Sequence, residues 1–118
     1  MTTNNHNHIN YIEFPMQNAE ATKKFYSEAF QWEFMDWGES YISFSGAGVE
    51  GGFEKDEMRE ATSPGVLVVL YSDNLEDTLT TVTGAGGKII KPIYGFPGGR
   101  RFHFLDPNGN ELAVWAKV

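Results

Sequence analysis

FLDPNGNELAVW, running from Phe104 to Trp115, reads as two strands and the turn that joins them. Asp106 offers an acceptor at the first turn position, Pro107 a fixed φ at the second, and Gly109 stands where a positive φ is needed. A tight hairpin with a glycine bulge is expected. Its arms are RRFHFL (residues 100–105) and NELAVWAKV (residues 110–118), both with the period-two patterning of strands. Upstream lies another strand, KIIKPIY (88–94), and before it Gly84, Gly86 and Gly87, which stop a helix opened by Asn74 and striped by Leu75, Leu79 and Val82. VLVVLYS (66–72) precedes that helix. The second half therefore reads β-α-β-β-β.

The first half repeats the plan. In INYIEFPM (9–16), Ile12, Phe14 and Met16 alternate with Tyr11, Glu13 and Pro15. Asn18 caps a helix ending near Phe30, whose apolar face is expected at Ala21, Phe25 and Ala29 beside Tyr26 and Phe30. WEFMDW (32–37), YISF (41–44) and VEGGFE (49–54) form a short meander with glycine-rich turns. The two capping asparagines stand 56 residues apart, close to half the chain. Residues 55–65, charged and aperiodic, read as an exposed connector.

A length of 118 residues suits one domain with a proper core. The absence of cysteine excludes disulfides, thiolate nucleophiles and zinc–thiolate or iron–sulfur sites. A net charge of −7 disfavours nucleic acid, and no apolar run is long enough to span a bilayer. MTTNNHNHIN lacks the basic and apolar regions of a leader. A cytoplasmic protein without nucleic-acid or membrane partners is expected. His6 and His8 fall in a polar N-terminal arm, with no further feature that supports a metal reading.

KKFYSEAFQWEF (23–34) and the closing FLDPNGNELAVW resemble the matching segments of the vicinal oxygen chelate superfamily, which contains glyoxalase I, extradiol dioxygenases, fosfomycin-resistance enzymes and bleomycin-binding proteins. The likeness covers nearly the whole chain. It implies an α+β fold: two βαβββ modules, about 8–54 and 66–118, forming curved mixed sheets around a cavity, with helices on the outside. It also implies where metal ligands would fall. Counting seven residues before each helix-opening asparagine reaches Tyr11 and Leu67, and seven after Asp106 reaches Ala113. Leu67 and Ala113 cannot bind a metal, and a phenol is a poor substitute for imidazole or carboxylate. Glu54 at the fourth position would be one carboxylate alone. No metal ligands and no cofactor are expected, with a relocated divalent metal as the alternative.

Alternation leaves Tyr11 and Glu13, then Leu67, Val69 and Tyr71, then Glu111, Ala113 and Trp115 facing inward. The hairpin register sets His103 opposite Ala113 and Arg101 opposite Trp115. The resemblance draws attention to His103, three residues before the hairpin aspartate. Its imidazole suits proton chemistry, with Glu13 to orient it; equally, it suits a hydrogen-bonded wall residue. Arg101 fits a substrate carboxylate or phosphate, or a structural pair with Glu13 or Glu111. Tyr11, Tyr71 and Trp115, with Trp37 and Tyr41, offer flat surfaces for a planar ligand or ordinary core. The glycine-rich run Tyr94 to Gly99 reads as a flexible pocket rim.

Three functions compete. The first is binding of a small aromatic or carboxylated molecule without a metal, as in a sequestering protein, with Tyr11, Leu67, Tyr71, Arg101, Ala113 and Trp115 as the wall. The second is a lyase or isomerase using His103 and Glu13, with or without a relocated metal. The third is a pure oligomerisation module, whose pocket would be filled. A homodimer is expected in any case, since relatives of this size often pair and sometimes exchange halves.

Overall fold

The computed structural model describes residues 4–118. In chain order the elements are β1 (Tyr11–Pro15), α1 (Ala19–Phe30), β2 (Glu33–Asp36), β3 (Tyr41–Ser45), β4 (Glu50–Glu54), β5 (Val68–Tyr71), α2 (Leu75–Gly84), β6 (Lys88–Phe96), β7 (Gly99–Leu105) and β8 (Glu111–Lys117). They make two four-stranded mixed sheets, ordered β1-β4-β3-β2 and β5-β8-β7-β6. The orders are the same in each half: the first strand pairs in parallel with the last, and the other pairings are antiparallel. This is the expected pair of βαβββ modules, with the sheets open rather than closed into a barrel.

Both helices begin as the sequence indicates. Asn18 and Asn74 are extended, and each side-chain oxygen accepts from the backbone N–H three residues on, at 2.8 Å from Ala21 and 3.1 Å from Asp77. The buried stripe of α1 differs from the expected one. It runs through Thr22, Phe25 and Tyr26, and Ala21 is exposed. Thr22 can be buried because its hydroxyl donates to Asn18 O at 2.7 Å and accepts from Asn108 Nδ2 at 2.9 Å.

The core lies between the helices and one face of each sheet. Phe14, Ile42, Phe44 and Phe53 line the first sheet, and Phe102, Phe104, Leu112 and Val114 the second. Phe25 and Tyr26 join these two groups: the Phe25 ring lies 5.9 Å from Phe104 and the Tyr26 ring 5.0 Å from Phe53.

The hairpin at residues 106–109 closes as predicted, with Gly109 at φ +89° and its N–H donating to Asp106 O. It also ties the halves together. The buried Asp106 accepts from Tyr26 Oη, from the Asn110 amide and from the backbone N–H groups of Asn108 and Asn110, at 2.7–3.1 Å. Asn108 Oδ1 accepts from Gln17 N and Asn110 Nδ2 donates to Pro15 O. Burial pushes the Asp106 carboxyl up, and the hydrogen bonds from Asn110, Tyr26 and Asn108 pull it back.

One expectation is overturned here. Residues 94–96 are not a loop rim, because β6 continues to Phe96 and pairs with β7 through Tyr94 opposite Arg101 and Phe96 opposite Gly99. Only Pro97 and Gly98 turn, the second at φ +100°. A register shift between Lys91 and Tyr94 accommodates one extra residue on β6.

Candidate functional site

Each sheet turns its second face away from the helices. On the first sheet this face carries Tyr11 and Glu13 of β1, Tyr41 and Ser43 of β3, and Gly52 and Glu54 of β4, as the pairing register requires. Tyr41 Oη donates to Glu13 Oε2 at 2.9 Å and also bonds the Tyr11 hydroxyl. A side chain at Gly52 would collide with the Tyr41 ring and hydroxyl, so glycine there makes room for this contact. Burial, followed by its bonds to Tyr11 and Glu13, holds the Tyr41 phenol well above the usual range.

Arg59, from the connector, donates to both Glu13 and Glu54. One guanidinium is thus shared between these two carboxylates. Tyr11, Glu33, Met35, Trp37, Tyr41 and Glu50 help to line a cleft of about 630 Å³ on this face. A second cleft of about 420 Å³ separates the edges of β1 and β5, between Ile12, Phe14 and Trp32 on one side and Val68, Leu70 and Tyr71 on the other. Both volumes fall in the range of small-molecule sites.

On the second sheet the register is the expected one: His103 pairs with Ala113, Arg101 with Trp115, Val69 with Ala113 and Tyr71 with Trp115. Leu67 precedes β5 and is half-buried. Tyr71 is 49% exposed and its ring lies edge-on to Trp115 at 5.1 Å. Ala113 is fully buried, so it floors this face rather than lining its surface.

His103, 3% exposed, is held at both nitrogens. Its partner is Glu111, not Glu13: Nδ1 lies 2.7 Å from Glu111 Oε2, while Ser63 Oγ donates to the other Glu111 oxygen at 2.9 Å. Alternation put Glu13 and His103 on inward faces; they lie on different sheets, and Glu13 is taken by Tyr41 and Arg59. On the other side His103 Nε2 lies 2.9 Å from the Tyr94 hydroxyl, and Arg101 Nε donates to that same hydroxyl. With a carboxylate at Nδ1, the consistent tautomer carries its proton there and accepts from Tyr94 at Nε2. The hydrogen bond from His103 holds the Glu111 carboxyl below the usual range.

Arg101 lies over aromatic rings, with Cζ 5.5 Å from the Tyr94 centroid and 5.7 Å from that of Phe96. Arg59 and Arg100 are each paired with glutamate. Arg101 pairs with neither Glu13 nor Glu111, and among the described residues it has no carboxylate partner; its Nε is bonded to Tyr94. Its terminal nitrogens thus remain for an anion.

Sequence reasoning missed Tyr94, Glu111 as the partner of His103, and Arg59. In the sequence Tyr94 reads only as the last residue of a strand and the first of the glycine-rich rim. Glu111 could have been found from the diagonal neighbour relation across the β7–β8 hairpin. Arg59 carried no signal beyond being the sole arginine of an acidic connector.

The donor set does not fit a divalent cation. Tyr11 is bonded to Tyr41, Leu67 and Ala113 have no donor atoms, and Glu54 is bonded to Arg59. Among the described residues no three His, Asp or Glu side chains gather at one point. His6 and His8 are exposed in the N-terminal arm. No helix among the described residues is long and apolar enough to cross a membrane.

Comparison with known proteins agrees with the architecture. A glyoxalase-like domain-containing protein of Didymella fabae is 31% identical, over 92% of this chain and 93% of its own length. Among solved structures, a glyoxalase/bleomycin resistance protein/dioxygenase family enzyme from Burkholderia phytofirmans PsJN superposes with a TM-score of 0.80 at 16% identity, covering 92% of this chain and 97% of that one. A glyoxalase-related enzyme from Fulvimarina pelagi gives 0.78 at 18% identity, covering 94% and 88%. The latter two likenesses are of fold. Because its residues 8–114 also match the model of that family, the chain belongs to the Glyoxalase/Bleomycin resistance protein/Dioxygenase superfamily.

Proposed function

We propose that the protein binds a small aromatic carboxylate on the open face of its second sheet, without a resident metal. The observation that carries this reading is Arg101, a guanidinium stacked on Tyr94 and Phe96 with no carboxylate of its own. A cation fixed in a flat orientation presents two parallel N–H groups, the arrangement that a carboxylate accepts. Trp115 and Tyr71, paired across β5 and β8, supply the flat apolar surface beside it. The clefts beside the β1 edge and on the first sheet also speak against an oligomerisation module with a filled pocket.

Phenylpyruvate, which joins an aromatic ring to a carboxylate, is a suitable probe. In a calorimetric titration of chelator-treated protein, Arg101→Leu should weaken its binding about 10- to 100-fold, the worth of one charged hydrogen-bonding group. Arg101→Lys should recover only part of the loss, because an ammonium cannot present the planar fork. Equal binding by wild type and Arg101→Leu would show that the carboxylate is held elsewhere.

A second reading, that of a lyase or isomerase, is favoured by the hydrogen-bonded chain through Glu111, His103 and Tyr94. In it His103 serves as a proton acceptor by way of Tyr94, and Glu13 has no part.

A further inference from the structure

We propose that Tyr94 is the proton-transfer group of this face, acting on a 2-oxo acid whose carboxylate is held by Arg101. The inference rests on the binding reading above and adds a reaction to it. His103 is 3% exposed and both its nitrogens are engaged, so it cannot itself meet a ligand. Tyr94 is only half-buried and stands at the outer end of the chain Ser63–Glu111–His103–Tyr94. A proton that this chain exchanges with a ligand held at Arg101 passes through the Tyr94 oxygen, to which Arg101 Nε is bonded.

The bonds around that oxygen have the polarity that proton transfer needs. In the tautomer that carries its proton at Nδ1, facing Glu111, the phenol O–H is donated to His103 Nε2, and the phenol lone pair receives the Arg101 Nε–H. Movement of the phenolic proton to Nε2 leaves a phenolate beside a guanidinium and an imidazolium beside the Glu111 carboxylate, so each new charge has a counter-charge already in place. Glu111 and Arg101 are fixed by Ser63 and by the Tyr94 and Phe96 rings, and little reorganisation is required.

The step proceeds as follows. The phenolate oxygen takes a proton from the carbon beside the substrate carbonyl. That C–H electron pair becomes the carbon–carbon double bond, and the carbonyl π pair moves to oxygen, giving an enolate. Tyr94 is again a phenol. Return of a proton from Tyr94 to carbon restores the oxo acid, and the proton on His103 then passes back to Tyr94. While the enolate is bound, the hydroxyl hydron of the half-buried Tyr94 exchanges with solvent, so in deuterated water a deuteron returns to carbon and the net reaction is hydrogen exchange with no oxidant or co-reactant. Tyr94 is the catalytic residue, and His103 and Glu111 are positioning residues that act through it.

Phenylpyruvate serves again as the probe. Loss of its C3 proton signal in deuterated water is followed by proton NMR with wild type, Tyr94→Phe, His103→Gln and Glu111→Gln, and binding is measured on the same preparations by calorimetry. Wild type should exchange the C3 protons faster than buffer. Tyr94→Phe keeps the ring under Arg101 but removes the hydroxyl that accepts from Arg101 Nε, so exchange is compared at saturating phenylpyruvate, where it should be about 100-fold slower or worse. Glu111→Gln and His103→Gln should lower the turnover number with little change in KM and move the pH profile of exchange, which a purely structural role would not do. Binding by wild type without exchange above buffer would overturn the role of Tyr94 and leave the binding reading intact; so would wild-type exchange by Tyr94→Phe. Absence of phenylpyruvate binding would overturn both.

Discussion

Asp106→Ala should lower the stability of the protein by about 3–5 kcal/mol, and its melting temperature by roughly 10–20 °C in a domain of this size. Four hydrogen-bond donors converge on this carboxylate, and the side chain is buried. Alanine leaves the Tyr26 hydroxyl, the Asn110 amide and two backbone N–H groups without their acceptor in a place that water does not readily reach. One bond crosses between the halves: Tyr26 lies in α1, 80 residues before the hairpin. The substitution therefore loosens the seam as well as the turn. Tyr26→Phe removes a single donor and should lose only about 1–2 kcal/mol. The double variant should lose less than the sum, since both changes break the same bond. Urea unfolding of the four proteins measures all of this; a loss below about 1 kcal/mol for Asp106→Ala would contradict the placement of the carboxylate at the seam.

Glu111→Ala should be the next most damaging change, at about 1–3 kcal/mol at neutral pH, because it strips the acceptor from a His103 imidazole that is 3% exposed. The loss should depend on pH in a defined sense. Hydrogen bonding to His103 lowers the Glu111 carboxyl below its value in the unfolded chain. A group with a depressed folded-state pKa contributes stability that is fully present above the unfolded value of 4.5 and disappears as the pH falls through the folded one. Wild type should therefore lose stability on acidification through that window more steeply than Glu111→Gln, with the two curves converging at the acid end. Urea midpoints measured from neutral pH down to about pH 3 test it, and parallel curves would refute the linkage.

The repeat of β-α-β-β-β was legible in this chain because its punctuation is local. Asn18 and Asn74 announce the helices, the glycines at 84, 86 and 87 end the second one, and Asp106 to Gly109 can hardly be anything but a turn. The cross-strand register followed from the hairpin, which is why His103 opposite Ala113 and Arg101 opposite Trp115 were correct. What lay beyond reach depended on packing between segments far apart in the chain. Asp106 reads as a turn residue, and nothing local says that its carboxylate also binds Tyr26. Ala21 looked like part of the apolar stripe because alanine carries no sign of its neighbours, whereas Thr22 is buried only because Asn108 meets it from the other half. The pairing of Glu13 with His103 failed for a similar reason. Period-two alternation identifies a face but not which sheet the face belongs to. Arg59, in a connector without periodicity, could not be placed at all, and yet it bridges Glu13 and Glu54 on the first sheet.

The same Arg59 bears on the metal. In a fold whose open faces accommodate many chemistries, the positions that the resemblance marks for ligands hold a hydrogen-bonded phenol and two aliphatic side chains, and the nearby Glu13 and Glu54 share one guanidinium. On the second sheet Arg101 carries its charge with no carboxylate partner among the described residues. The most direct test is elemental analysis of the protein purified from cells grown with zinc, nickel, manganese and iron, before and after treatment with a chelator, alongside the phenylpyruvate titration. Far less than one metal ion per chain, with binding unchanged by the chelator and abolished or strongly weakened in Arg101→Leu, is the expected result. One tightly held ion per chain whose removal abolishes binding would contradict it.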